Sequence, residues 1–490
     1  MRDTCLPSVA GFAAATAKPA RPRHTANRSG KILSLLSGFV IANALSACVQ
    51  SEPEVTAARA STATIELPQA DRVPGLSDPV PRAALPDNSH LGRDFMELSF
   101  YLESGRALSR FTRFEGPVSI TLSGNAPPVA ATELGRLVSR LQREAGLNVT
   151  TKPGHINTIN VQFVPKATMR RAVPNVACFV VPNVIDWTDY RSARGTARTD
   201  WAQLSVRQHA TVFIPDPATP QEIRDCLHEE ISQGLGPVND LYRLPDTVWN
   251  DDNFHTVLTR FDMAVLRATY DPALHSGMSR PEVFSALPGV LARTNPRGGQ
   301  MRALREDPTP RSYVQAITRA LGASSGDAGR RNAAAQATRI AAARGWNDSR
   351  AAFAWFALGR LSLKKDPQAA IRAFLNAGAI YRRTPGAGIQ AAHVDMQLAA
   401  FALASGRAQE ATHWGNRWPV PATPGETPAL MATLYMIRAE GYAQLGNAAQ
   451  SYQARLDMAQ WARYGFGSDA AVQRRAGEVA ALADAGARLN

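Results

Sequence analysis

The chain has 490 residues, 45% of them hydrophobic and 19% charged, a composition ordinary for globular protein and a length that calls for two folded domains. Of its 54 basic and 41 acidic residues, six and one fall within residues 1–47, which leaves 48 and 40 beyond that point and shrinks the formal charge of +13. The remaining surplus is spread along the chain, without the Lys/Arg clusters and interleaved aromatics of a phosphate-tracking groove, so nucleic acid is excluded as an expected partner.

In chain order the first segment is a leader. Lys31 precedes a short apolar run from Ile32 to Ala42, followed by small residues up to Cys48, the layout of a secretory signal. The run is shorter than the roughly 20 residues a membrane-spanning helix needs. Leu45-Ser46-Ala47-Cys48 resembles the lipobox of bacterial lipoproteins, which implies cleavage before Cys48 and a diacylglyceryl group on its sulfur. Val49 rather than Asp in the next position implies the periplasmic face of the outer membrane, with the inner membrane as the alternative. Two or three acyl chains would make that anchoring stable. Residues 1–29, rich in Pro, Arg and Ala without periodicity, read as an over-extended start. Cys5 leaves with the leader, so Cys178 and Cys226 remain as the pair available in an oxidising compartment; they are expected to form a disulfide, two separate buried thiols being the other reading.

Residues 48–92 carry the anchor and a tether rich in Pro, Ala, Ser and Thr. An α+β domain is assigned to residues 93–297. Val118 to Leu122 alternates as a half-buried strand does, Leu134, Leu137, Val138 and Leu141 recur at helical spacing, and strands are expected at 159–164, 178–181 and 210–214. Thr219-Pro220-Gln221-Glu222 opens a helix, with Thr219 as N-cap. Trp187, Tyr190 and Trp201 flank an Arg-rich stretch (Arg191, Arg194, Arg198) expected as a surface loop, with an anion or glycan grip as the alternative. Pro281, Pro288, Pro296, Pro308 and Pro310 mark a boundary, and residues 298–311 are read as the linker. From 312 to 490 the chain is Ala-rich helix, with turns at Asp366, Gly406 and Gly446, forty residues apart. Such a period signals stacked helical hairpins. Trp355 to Gly359 with Ala370, Phe374 and Ala377 resembles a degenerate tetratricopeptide repeat, which implies a surface for an envelope or periplasmic protein partner.

The chemistry-bearing stretch runs from Cys226 to Asp240. His228-Glu229 suggests a zinc-protease helix, but the second histidine position is Ser232. One residue along, Glu229, Glu230, Gln233, Gly236, Asn239 and Asp240 resemble the metzincin spacing of two ligands, a turn glycine and a third ligand, with every histidine replaced. Residues 258–270 resemble the terminal helix of matrixin-type domains, and Val248-Trp249-Asn250-Asp251-Asp252 stands where that fold has its Met-turn. The same pattern resembles a family of uncharacterised domains in lipoproteins of Gram-negative bacteria.

Acid and amide oxygens make a poor zinc site and suit harder cations. No metal or cofactor is therefore expected, a divalent cation being the alternative, with His255 as a substitute ligand and His228 and Trp249 as secondary candidates. The leading expectation is a metzincin-like domain without zinc-protease chemistry, Glu229, Glu230, Gln233, Asn239 and Asp240 forming a hydrogen-bonded network, in a lipid-anchored scaffold. The alternative is a peptidase or amidase with Glu230 as general base.

Overall fold

The computed structural model describes residues 84–487 except 175, 323–324 and 418–426. The leader, Cys48 and nearly all of the tether lie outside the described residues. A mixed α/β domain comes first and a helix-rich region follows.

The first domain begins before residue 93. Asp87 accepts hydrogen bonds from the Ser89 and His90 N–H groups and so caps helix α1 (Asn88–Phe100), whose Leu91 and Phe95 are fully buried. Strand β1 (Val118–Gly124) leads through α2 (Pro128–Ala145) to a short β2 (Val149–Thr150), then β3 (Asn157–Pro165), α3 (Lys166–Ala172), β4 (Phe179–Pro182), α4 (Trp187–Ala193) and β5 (His209–Asp216). The sheet order is β2-β1-β3-β5-β4; β4 alone runs antiparallel to its neighbour. Helix α5 (Pro220–Leu235) follows, then α6 (Arg260–Thr269) and α7 (Arg280–Thr294).

Alternation decides which layer each strand residue serves. Val180 and Val212 face the main core with α2 and α5, while Phe179, Val181 and Phe213 enter a second cluster with Met169 and Tyr190 on the other face. The Arg-rich stretch is helical rather than a loop at its start: burying Tyr190 against Phe213, centroids 5.3 Å apart, pulls α4 onto the sheet. Pro281 and Pro288 both lie within α7, Pro281 occupying the first helical turn where its missing N–H costs nothing. The Asn295 amide donates to the Asn88 side-chain oxygen (2.9 Å) and the Asn88 amide to the Asn295 backbone carbonyl (3.2 Å), closing the domain end to end through α1 and α7.

The helix-rich region comprises α8 (Arg311–Leu321), α9 (Asp327–Ala343), α10 (Ser349–Ser362), α11 (Pro367–Tyr381), α12 (Gly388–Ala404), α13 (Ala408–Asn416), α14 (Pro428–Gln444), α15 (Ala448–Phe466) and α16 (Asp469–Ala487). Consecutive helices pack on one another, and α16 lies against both α12 and α14. The turn glycines Gly406 and Gly446 have φ of 70° and 73°, a conformation a side chain would strain. The segment before α8 is fastened: the Asp307 N–H donates to Glu97 (3.0 Å) and the Asp307 carboxylate pairs with Arg350 (2.5 Å). No helix among the described residues is long and apolar enough to cross a membrane.

Candidate functional site

Helix α5 carries the motif, and its position is set at both ends. Thr219 and Glu222 form a reciprocal capping box at the start. At the other end Arg207, 5% exposed, donates to the Gln233 and Gly234 carbonyls (2.8 Å each), and the Tyr270 hydroxyl donates to the Leu235 carbonyl (2.9 Å). A disulfide joins Cys226 on α5 to Cys178 beside β4. Gly236 then lets α6 approach, because a Cβ there would stand 2.9 Å from the Leu266 side chain.

What this framework assembles is a group of carboxyls. Glu103, from the turn after α1, Asp240 and Asp251 each bring one oxygen into a group whose members lie within 4.8 Å of one another. Glu229 and Glu230 adjoin it: burial first, then the neighbouring carboxyls, push Glu103, Glu229 and Asp240 well above the usual carboxylate range. Burial and Asp240 push Glu230 up to about 8, although its carboxyl accepts a hydrogen bond from the Val180 N–H of β4. Burial takes Asp251 to about 6. Gln233 donates to Asp240, which also shares a hydrogen bond with Glu103.

Of the residues singled out in the sequence, Glu229, Glu230, Gln233 and Asp240 thus come together, whereas Asn239 does not. Its amide donates to the Glu97 carbonyl of α1 (2.9 Å), because the chain turns after α5 to lay Arg243 between Asp94 and Glu97, 2.7 Å from each. His228 accepts from the Leu258 N–H (3.1 Å) and so ties α5 to the following loop. His255 reaches toward the Gly386 carbonyl (3.4 Å) in the helix-rich region, away from a ligand's position. Trp249 is fully buried in the core. Glu103 and Tyr242 carried no site signal of their own in the sequence, and Asp251 figured only within the Val248–Asp252 stretch that stands where a Met-turn would; Glu103 lies far upstream of the motif, and nothing local marks it.

Residues 238–258 are roofed by the C-terminal helices. Phe254 packs against Phe356, Phe353 and Tyr381 (5.2, 6.0 and 6.2 Å between centroids), and Tyr242 against Tyr313 and Phe353. Gln390 on α12 donates to the Pro245 carbonyl (2.7 Å), and Gln221 on α5 accepts from the Ala429 N–H of α14 (2.8 Å). Elsewhere, Arg191 and Arg194 border an open cavity of about 320 Å³ with Arg171 and Trp187, while Arg198 pairs bidentately with Asp189.

Residues 88–289 match the model of a family described as a protein of unknown function, DUF2927. A domain of unknown function therefore spans α1 to most of α7, in agreement with the sheet-bearing unit seen here. No curated protein matches the chain, and no solved structure matches it.

Proposed function

We propose that this chain is an exported lipoprotein, acylated on Cys48 and held at the periplasmic face of the outer membrane. There it binds or scaffolds an envelope protein through its C-terminal repeats, and its metzincin-like central domain has lost zinc-protease chemistry.

The observation that carries this reading is the covering of residues 238–258. In a peptidase of the proposed type, the loop after the motif helix must leave room for a polypeptide. Here Tyr242 and Phe254 are committed to an aromatic core with Tyr313, Phe353 and Phe356. The donor set agrees: acid and amide oxygens replace imidazole, and Asn239 is turned away toward α1. Glu230, pushed up to about 8, is largely protonated at neutral pH in the absence of a cation and is a weak general base there. The order of motif helix, close-packed glycine and closing helix α6 supports the metzincin likeness, and paired helices separated by turns at Asp366, Gly406 and Gly446 support the repeat reading. Tyr452 and Leu456, four apart on α15, are exposed apolar side chains available to a partner.

The test combines fractionation with assay. The wild-type chain is expected in the membrane fraction and Cys48→Ser in the soluble one. Purified protein is expected to hold no stoichiometric zinc and to show no peptide or cell-wall amide hydrolysis sensitive to Glu230→Gln. Stoichiometric zinc with hydrolysis abolished in Glu230→Gln would replace the scaffold with a hydrolase.

A further inference from the structure

The carboxyl group of the central domain is more than a network that satisfies itself. Three chain segments supply it: the turn after α1, far upstream in sequence, then the loop after α5 and, shortly beyond it, the Val248–Asp252 stretch. Two of its members, Glu103 and Asp240, are partly open to solvent, while Asp251 is buried. A ring of acids alone argues little, since exposed acids gather in many proteins without a ligand. The second observation is Tyr242. Its ring is 2% exposed and locked in the aromatic core, yet its hydroxyl abuts Asp251 within the field of Glu103 and finds no partner in hydrogen-bonding geometry. One oxygen of Asp240, fully enclosed, also has none. Buried polar atoms left in this way cost free energy unless something else satisfies them.

We propose that Glu103, Asp240 and Asp251 form a binding site for a hard divalent cation, calcium in preference to zinc, with the Tyr242 hydroxyl donating to Asp251 or to a water bound to the ion. The all-oxygen donor set selects against zinc. Glu103 and Asp240 keep part of their surface in solvent, whereas Asp251 lies under the C-terminal helices. Segments from α1, from the loop after α5 and from the stretch packed under α10 and α12 would then be joined through one ion. The site does not depend on the scaffold reading; loss of partner binding would leave it standing.

The experiment uses the full chain, stripped with a chelator and titrated calorimetrically with calcium, magnesium and zinc chlorides, alongside thermal unfolding of the same samples. One calcium per chain is expected, with a rise of a few degrees in the unfolding temperature at saturation. Asp240→Asn and Asp251→Asn are expected to weaken calcium binding at least tenfold, and Tyr242→Phe to weaken it less. Because a variant that fails to fold would also fail to bind, stability without metal is the second readout. Asn keeps the size and shape of each Asp side chain, so the variants should unfold near the stripped wild type while losing the rise with calcium. Absence of binding at millimolar calcium, unaltered affinity in both Asn variants, or zinc binding that outcompetes calcium at these residues would each overturn the proposal.

Discussion

The two halves of the molecule bury different things. The sheet domain buries charge and polarity: Glu97, Arg243, Arg207, Glu230 and Asp262 all lie inside it, each held by a partner. The helical region buries chiefly methyls and rings, with alanines lining close helix contacts and Phe353, Phe356, Phe374 and Tyr381 filling much of the rest; Arg350, Gln390 and Asp395 are its main polar exceptions. Polar burial fixes a geometry because each group has few acceptable partners, whereas apolar burial is tolerant of exchange and draws mainly on area and shape. Tyr242 belongs to both worlds, its ring to the helical core and its hydroxyl to the acid centre.

Breaking the disulfide is the largest perturbation of this contrast. It closes a loop of 48 residues, and chain-entropy arguments put its loss at about 4 kcal/mol. Replacement of Cys178 and Cys226 by alanine is expected to lower the sheet domain's unfolding transition by roughly 10 °C in calorimetry. A helical transition that stays put would show two units; one that falls in step would show the roof joining them into one.

Phe254→Ala tests the seam from the other side. The ring meets three others from the helical region, and its truncation is expected to cost about 3 kcal/mol. The two calorimetric transitions should separate and residues 238–258 should exchange amide hydrogens faster. Unchanged exchange there would mean that the roof is held by Gln390 and its neighbours instead.

Acidity should push the halves in opposite directions. Asp262, fully buried under bonds from Thr247, Val248 and Thr259, has its carboxyl raised by burial to about 6. The neutral form is the one the fold favours, so the stability it contributes is complete below about pH 4 and is lost as pH rises through about 6. His393, packed against Phe254, is driven by burial down to about 3. Its contribution is present above about pH 6.5 and is lost as pH falls toward 3. Between pH 6.5 and 4 the sheet domain should gain against the helical region by several degrees in relative unfolding temperature. Asp262→Asn should flatten the first response and His393→Phe the second.

The smallest expected effect is that of Glu230→Gln. In the metal-free chain the Glu230 carboxyl, 4% exposed and pushed up to about 8, is already mostly neutral at pH 7, so the amide is nearly isosteric. Stability is expected to change by less than about 0.5 kcal/mol, as read from urea unfolding. A loss of several kcal/mol would show the group ionised in the fold and paired more tightly than its bond to Val180 implies.

Much of the backbone architecture was legible because its signals are local. Thr219 and Glu222 announce the start of α5, and Thr259 and Asp262 form the same reciprocal box at α6. Alternation marked β1 and a short apolar run marked β5, and the paired glycines Gly406 and Gly446 marked helix turns by the conformation only glycine takes easily. The start of α1 was hidden because the prolines and alanines before it resemble a tether, while its single strong signal, the Asp87 cap, needs the helix to be recognised first. Asn239 fitted a spacing, but spacing along a chain holds only while the helix continues, and α5 ends before it.

From its own residues, then, the chain declares its helices, its strands, its change of character near residue 300 and four members of its acid centre, since caps, periodicity and turn chemistry act over a few residues. Tertiary structure alone decided that Glu103 and Asp251 complete that centre, that Asn239 and His255 leave it, and that the helical region closes over residues 238–258. Those outcomes depend on distances between segments far apart in sequence, which packing sets and no local pattern encodes.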